Sequence, residues 1–157
     1  MKIRPVVLCG GAGTRLWKKS QNNQAKQFIN FGGWSLLEKT LMRIKGPIYD
    51  YPIISTNSKY LKLVQNYLKK LKIKQYKIIL EPAKKNTAPA ILASALIKDI
   101  PDEQPLMFFS ADHLIEKISV FNKAINKNKQ NLTDQNIFIF GIKPTSPSSE
   151  YGYFLTK

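Results

Sequence analysis

One cysteine and one histidine stand in a chain of 157 residues, and these two scarcities remove several kinds of chemistry at the outset. The lone thiol, Cys9, excludes a disulfide framework within the chain. Its place at the end of an apolar run marks it as a buried, inert group in a reducing compartment. With His113 as the one histidine, there is neither a Ser-His-Asp set for nucleophilic catalysis nor a His/Cys cluster of the kind that holds zinc. Acidic residues are scarce as well: 10 Asp and Glu against 25 Lys and Arg leave a net charge of +15. Such a surplus raises the question of a nucleic-acid partner. The lysines, however, are scattered over candidate helix surfaces (Lys59, Lys62, Lys69, Lys70, Lys72, Lys74), without the interleaved aromatics of a stacking platform. We read them as solvated faces, part of whose charge draws in an anionic substrate, and expect no nucleic acid as partner. No apolar run approaches the ~20 residues of a spanning helix. Met1 leads straight into a strand without the charged-then-apolar pattern of a signal, so a soluble cytoplasmic protein with no membrane partner is expected.

What the chain does have is concentrated in Val6 to Gln27, VVLCGGAGTRLWKKSQNNQAKQ. Val6, Val7, Leu8 and Cys9 suit a strand covered on both faces. The Gly10-Gly11-Ala12-Gly13 turn that follows brings backbone N–H groups close to a ligand, because no Cβ intrudes at the glycines. Thr14 and Arg15 come next. An arc of N–H donors followed by a guanidinium suits a polyphosphate, since Arg meets phosphate oxygens bidentately and successive amides form an anion-binding concavity. A tight turn with an exposed Arg is the plainer alternative. Two better-known glycine motifs do not fit. A P-loop ends in Gly-Lys-Ser/Thr, whereas Gly13 is followed by Thr14-Arg15. The dinucleotide fingerprint needs a third small residue where Leu16 stands, and an acidic residue for the ribose that does not occur at the required distance.

Through the rest of the chain short β-rich runs alternate with helical periodicity, the pattern of a parallel sheet covered by helices. The first strand is expected at about 4–9. Ser35, with Glu38 three residues on, reads as a capping box opening a helix that carries Leu37, Leu41 and Ile44 and stops at Gly46-Pro47. A short strand at 53–55 follows, then a helix with Leu61, Val64, Leu68 and Leu71 on one face, then a strand at 76–80 leading to Glu81-Pro82. Thr87 is the expected N-cap of a third helix, with Pro89 in its first turn, running to about Ile100. Leu106 to Phe109 form a buried strand that delivers Ser110-Ala111-Asp112-His113 at its carboxyl end. A helix at 120–128 and a strand at 137–142 complete the regular part. Open α/β sheets bind ligands beyond the carboxyl ends of their strands, so Gly10 and Asp112 share one site if their strands are neighbours at the topological switch point. There is no internal repeat and no linker, and 1–157 reads as one domain.

These residues resemble a known family, the sugar-phosphate nucleotidyltransferases. The signature GGAGTRLW, followed by AKQF, is accompanied by Glu81-Pro82 with Asn86-Thr87-Ala88-Pro89-Ala90-Ile91. Ala111-Asp112-His113-Leu114-Ile115 comes next, and then Gly141-Ile142-Lys143-Pro144-Thr145 running on to Tyr151-Gly152-Tyr153. Leu16-Trp17 and the Asn-Thr-Ala-Pro-Ala-Ile run point to the mannose and guanylyl branch rather than the glucose and thymidylyl one. The resemblance implies a Rossmann-like three-layer α/β/α domain of the glycosyltransferase A type. Because the family domain is longer, usually followed by a left-handed β-helix and sometimes by an isomerase domain, the chain reads as its N-terminal, GTP-binding part, incomplete at the C-terminus.

The implied reaction is transfer of GMP from GTP to mannose 1-phosphate, giving GDP-mannose and pyrophosphate with magnesium as cofactor. A phosphate monoester with a second pKa near ~6 is already largely dianionic at neutral pH, so no general base is needed; the protein must bring two anions together and screen their charge. Fixed cations, N–H donors and one carboxylate at a strand end meet that need. The resemblance carries catalytic roles to Arg15, Lys26 and Asp112: Arg15 on the β and γ phosphates, Lys26 near the α-phosphate and Asp112 on magnesium, which typically takes one or two carboxylates beside phosphate oxygens. A turn cap is the alternative for Asp112, and a packing or supporting role is expected for His113. Substrate contacts carry over to Leu8, Gly10, Gly11, Gly13 and Thr14 in the first loop. Glu81, Asn86, Thr87 and Ala88 take the guanine, and Tyr151 and Gly152 the sugar.

The chain departs from the family pattern inside its motifs. Lys18 and Ala25 stand where prolines are usual, which increases the entropy of the free loop and weakens binding by ~0.5–1 kcal/mol each. Ser110 replaces another usual proline, and Ser149-Glu150 stands where Thr-Gly is common. In the family a second carboxylate for the metal lies further along than Lys157. A non-catalytic nucleotide-binding fragment of a split gene therefore remains an alternative, with a homo-oligomer or a partner chain supplying the rest. A basic nucleic-acid-binding module is the other.

Overall fold

The structure, a computed structural model, describes residues 2–11, 25–83, 85–149 and 152–155. In chain order its elements are β1 (Arg4–Leu8), β2 (Asn30–Phe31), β3 (Trp34–Ser35), α1 (Leu36–Arg43), β4 (Ile53–Asn57), α2 (Leu61–Lys70), β5 (Lys77–Glu81), α3 (Thr87–Ala95), β6 (Leu106–Ser110) and α4 (Ile118–Lys129). β1, β4, β5 and β6 form one parallel sheet in the order β5-β4-β1-β6. From β1 the chain steps outward to β4 and β5, then returns to the far side of β1. That reversal creates a switch point between β1 and β6, with Leu8 opposite Ser110.

Alternation along the strands sorts their side chains between two covered faces. Ile3, Val7, Cys9, Ile54 and Phe109 point into a core completed by Leu37 and Leu41 of α1, Val64 and Leu68 of α2 and Ile125 of α4. Val6 and Ile53 are also fully buried, on the other face, where α3 crosses β1, β4 and β5 with Ala90 and Ser94 turned inward. The expected α/β layering is thus observed. No helix among the described residues is long and apolar enough to cross a membrane.

The capping box forms as the spacing predicts: the Glu38 amide donates to Ser35 Oγ at 3.2 Å and the Ser35 amide to Glu38 Oε2 at 2.7 Å. The β2–β3 hairpin ahead of it was not anticipated. It turns on Gly32 and Gly33, whose φ of +66° and +88° suit a two-residue turn matched to strand twist.

Three expectations are corrected. The N-cap of α3 is Asn86, not Thr87, which is instead the first helical residue; Asn86 has φ +65° and ψ −163°, so the chain enters the helix one residue earlier. The same helix ends at Ala95 rather than near Ile100. Asp99 pairs with Lys77 at the start of β5, and Pro101 disfavours helical geometry at Ile100. Residues 137–142 form no strand despite their β-rich composition, with Ile137 and Ile142 about nine-tenths exposed. A strand exists only by pairing, and these residues lie against no sheet edge among the described residues.

Lys70, read from sequence as part of a solvated face, is tied to the core: its ammonium lies 2.7 Å from Glu38 Oε1, a carboxylate only 3% exposed, and 5.0 Å from the Trp34 ring. Burial pushes the Glu38 carboxyl up, but hydrogen bonds from Lys70 and Ser35 and the Lys70 charge outweigh it, and the net value lies below the ordinary one. A lowered carboxylate contributes stability that is present above the unfolded-state value and is lost as pH falls through the folded one. Lys70→Ala is therefore expected to lower stability in urea by about 1 kcal/mol at pH 7, a figure discounted for the solvent-exposed lysine. The gap to the unsubstituted protein should close as pH is lowered below about 4. An equal gap at pH 3 and pH 7 would contradict the assignment.

Candidate functional site

At the carboxyl end of β1 the ladder persists for one further bond on each side. The Cys9 amide donates to the Ser55 carbonyl at 2.7 Å and the Ala111 amide to the Leu8 carbonyl at 3.1 Å. Leu8 is thus held between β4 and β6, and the chain leaves the sheet at Gly10. A Cβ at Gly10 would lie 2.6–2.9 Å from the carboxylate of Glu81, which reaches across from the end of β5 and accepts from Ser55 Oγ at 2.7 Å. Among the described residues, nothing lies within 4 Å of a Cβ placed at Gly11. Gly10 therefore serves packing, while no described side chain covers Gly11.

The turn is fixed from outside by a residue the sequence reading left without a role. Gln27, buried, donates its Nε2 to the Cys9 carbonyl at 3.2 Å and to the Gly11 carbonyl at 3.0 Å, and Thr56 Oγ1 also meets the Cys9 carbonyl at 3.4 Å. Its only sequence signal is its place in AKQF. Ala25, just before it, has φ −64° and ψ 146°, the geometry a proline would impose, so that departure does not change the shape of the chain at this point.

Lys26 and Asp112 meet directly, Nζ to Oδ2 at 3.2 Å, with about 30% of each side chain exposed. Ser110 Oγ donates to the other carboxylate oxygen. Burial raises the Asp112 value, but the Ser110 and Lys26 hydrogen bonds and the Lys26 and His113 charges bring it below the ordinary carboxylate value, so Asp112 is an anion at neutral pH. Ser110, where the family pattern has proline, thus supplies a bond that proline could not. His113 does not pack: its side chain is 66% exposed, Nε2 is 4.0 Å from Asp112 Oδ1, and its carbonyl accepts from Arg43 at 2.8 Å.

The structure therefore brings Leu8, Gly10, Gly11, Lys26, Glu81 and Asp112 together around the switch point. Asn86, Thr87 and Ala88 open α3 a few residues after Glu81 and are exposed. The left-handed φ of Asn86 is backbone strain of the kind found at ligand-binding loops. Gly152 lies in exposed coil where a Cβ would meet nothing within 4 Å, and the structure does not bring it to the cluster. Gly13, Thr14, Arg15 and Tyr151 lie outside the described residues.

No group of three metal-binding side chains occurs among the described residues. A single ionised, part-exposed carboxylate fits magnesium shared with phosphate oxygens, not a cage made by protein alone. Cys9 is inert: burial pushes its thiol up to about 12.

A parallel α/β sheet with a glycine turn, a lysine and a carboxylate converging at its switch point is the arrangement of a nucleotidyltransferase. Residues 4–156 match the family described as Nucleotidyl transferase, and the chain belongs to that family. It is 38% identical over 153 residues to the mannose-1-phosphate guanylyltransferase of Escherichia coli, covering 96% of this chain and 32% of that protein. To mannose-1-phosphate guanylyltransferase 2 of Escherichia coli O157:H7 it is 41% identical over 156 residues, again covering 96% and 32%. The chain thus spans about a third of the length of these curated relatives. Among solved structures it is similar to mannose-6-phosphate isomerase from Helicobacter pylori (TM-score 0.65, 31% identity, 83% of this chain and 46% of that one). The fold is also that of the inositol-1-phosphate CTP transferase of T. maritima (TM-score 0.61, 16% identity, 86% and 50%).

Gly10→Ala is expected to push the Glu81 carboxylate off Ser55 and to lower stability in urea by about 1–3 kcal/mol, the usual cost of forcing atoms into a filled space. Gly11→Ala should stay within about 0.5 kcal/mol of the unsubstituted protein. In the same preparations Cys9 should be unreactive towards a thiol reagent at pH 8 until the chain is unfolded.

Proposed function

We propose that this chain forms the nucleotide-binding part of a site that transfers GMP from GTP to mannose 1-phosphate, with GDP-mannose and pyrophosphate as products. The observation that carries the reading is the Lys26–Asp112 pair beside the Gly10-Gly11 turn. The names of the curated relatives, mannose-1-phosphate guanylyltransferases, support this choice of substrates. A nucleoside triphosphate and a sugar phosphate are both anions, so a fixed ammonium and open backbone amides hold and orient them, while the excess positive charge of the chain favours their approach. On binding, Lys26 exchanges its carboxylate for a phosphate oxygen, and the freed Asp112 oxygen becomes available to magnesium. The ion, when bound, screens charge on the phosphates and on the pyrophosphate leaving group. The Glu81 carboxylate and the α3 entry at Asn86 offer acceptors and donors to the guanine edge. The sugar phosphate, as a dianion, is itself the nucleophile, and the reaction runs in the cytoplasm.

A second reading is favoured by one observation. β6 pairs only with β1 among the described residues, and the apolar residues 137–142 are exposed. In that reading this chain binds GTP while further polypeptide, in the same or a partner chain, completes the sheet and the metal site.

Arg15→Ala is expected to weaken GTP binding, measured by calorimetry, by ~1.5–3 kcal/mol, and Lys62→Ala on the exposed side of α2 to leave it unchanged. Equal losses would mean diffuse electrostatics. Asp112→Asn should abolish the magnesium dependence of GTP binding. Pyrophosphate release from GTP and mannose 1-phosphate by the 157-residue protein separates the readings: turnover supports a sufficient site, and saturable binding with background turnover supports the second. Salt-dependent binding of oligonucleotides in preference to GTP would overturn both.

A further inference from the structure

Arg43, on the last turn of α1, is only 3% exposed, and none of the ion pairs among the described residues includes it. Its Nε is enclosed without a hydrogen-bond partner among the described residues, and burial lowers the guanidinium from its ordinary value. Taking a cation out of water without a carboxylate beside it is costly, and an apolar side chain of similar volume would fill the same space without that cost. What the guanidinium does in return is specific. Nη2 donates to the His113 carbonyl at 2.8 Å, a contact between residues 70 apart in sequence, and to Thr40 Oγ1 at 3.3 Å on its own helix. The His113 carbonyl belongs to the peptide between His113 and Leu114, one residue beyond Asp112. Arg43 therefore grips the turn leaving β6 from the far side, while Ser110 Oγ holds the Asp112 carboxylate from the strand side. Lys26 does not supply that constraint, since it must release Asp112 when a phosphate arrives.

We propose that Arg43 is a positioning residue for Asp112: by holding the His113 carbonyl, its guanidinium fixes the turn one residue beyond Asp112, and thereby the direction in which the carboxylate meets a divalent cation. The inference rests on the reading of Asp112 as the magnesium ligand. Second-layer groups that orient a metal ligand commonly change metal affinity by about 10–100-fold when removed. They leave metal-independent contacts of the ligand alone.

The test is a magnesium titration of GTP binding to the 157-residue protein, paired with GTP binding in EDTA. Arg43→Met is expected to raise the magnesium concentration at half-effect by roughly 10–100-fold and to leave GTP binding in EDTA unchanged. In an Asp112→Asn background it should add nothing further. Arg43→Lys keeps the charge in the core but offers a single donor in place of the planar fork, so an intermediate shift is expected; it also serves if the Met variant does not fold. A magnesium half-effect unchanged in Arg43→Lys and in folded Arg43→Met, or a loss of the same size with and without magnesium, would overturn the inference and leave the Asp112 reading standing. Magnesium dependence that survives Asp112→Asn would overturn both.

Discussion

The parallel ladder between β1 and β6 is the interaction on which the candidate site depends. Its five-residue register, from Arg4 opposite Leu106 to Leu8 opposite Ser110, sets how far each strand runs before its loop begins. Gly10 on one strand and Asp112 on the other therefore leave the sheet at the same height. A slip of one residue would turn Val7 and Phe109 out of the core and carry Asp112 to the opposite face, so the hydrophobic alternation that stabilises the sheet also aligns the chemistry. The pairing joins segments about a hundred residues apart, and the helices that cover both faces of β1 hold it in place.

Around this ladder four of the ten acids of a strongly basic chain are paired with particular cations. Arg4 takes Asp50 at the lower end of β1, Lys70 takes Glu38 between α1 and α2, Lys77 takes Asp99 across the base of β5, and Lys26 takes Asp112 at the site. The first two each have one buried member, Arg4 and Glu38, and the Lys77–Asp99 pair lies open to solvent. The Lys26–Asp112 pair differs in its place: it stands at the carboxyl ends of β1 and β6, part-exposed, where in the proposed site each group can exchange its partner for one of higher charge. An ion pair of this kind in contact with solvent is weak by itself, which makes the exchange inexpensive. Glu81 adds a second carboxylate nearby, held by Ser55 against Gly10.

Much of this was legible in the sequence, because the signals involved are local. Apolar β-rich runs located the four strands of the parallel sheet, helical spacing located α1, α2 and α4, and Ser35 with Glu38 marked the start of α1 to the residue; each of these patterns is spelled out within a short stretch of chain. The glycine turn and the AKQF and Asp112 motifs likewise named residues that the fold then gathered. The errors fell where a local pattern competes with its surroundings. Thr87 had the chemistry of a cap, but the left-handed backbone of Asn86 places the helix start one position earlier. The β-rich 137–142 stretch has the composition of a strand but pairs with no sheet edge among the described residues.

What only the tertiary structure decided is the company of the polar residues. The sequence determined that β1 is a buried strand, that glycines follow it and that a carboxylate stands just beyond β6. It contained no sign that Gln27 would hold the carbonyls of Cys9 and Gly11, that Ser110 would bond to Asp112, or that the buried guanidinium of Arg43 would grip the peptide beyond it. Hydrophobic burial is non-directional and depends on residue type and period, which a sequence displays. A hydrogen bond needs a donor and an acceptor within about 3 Å and in line. For residues as far apart as Arg43 and His113, that geometry is set by the register of the sheet and the seat of a helix upon it.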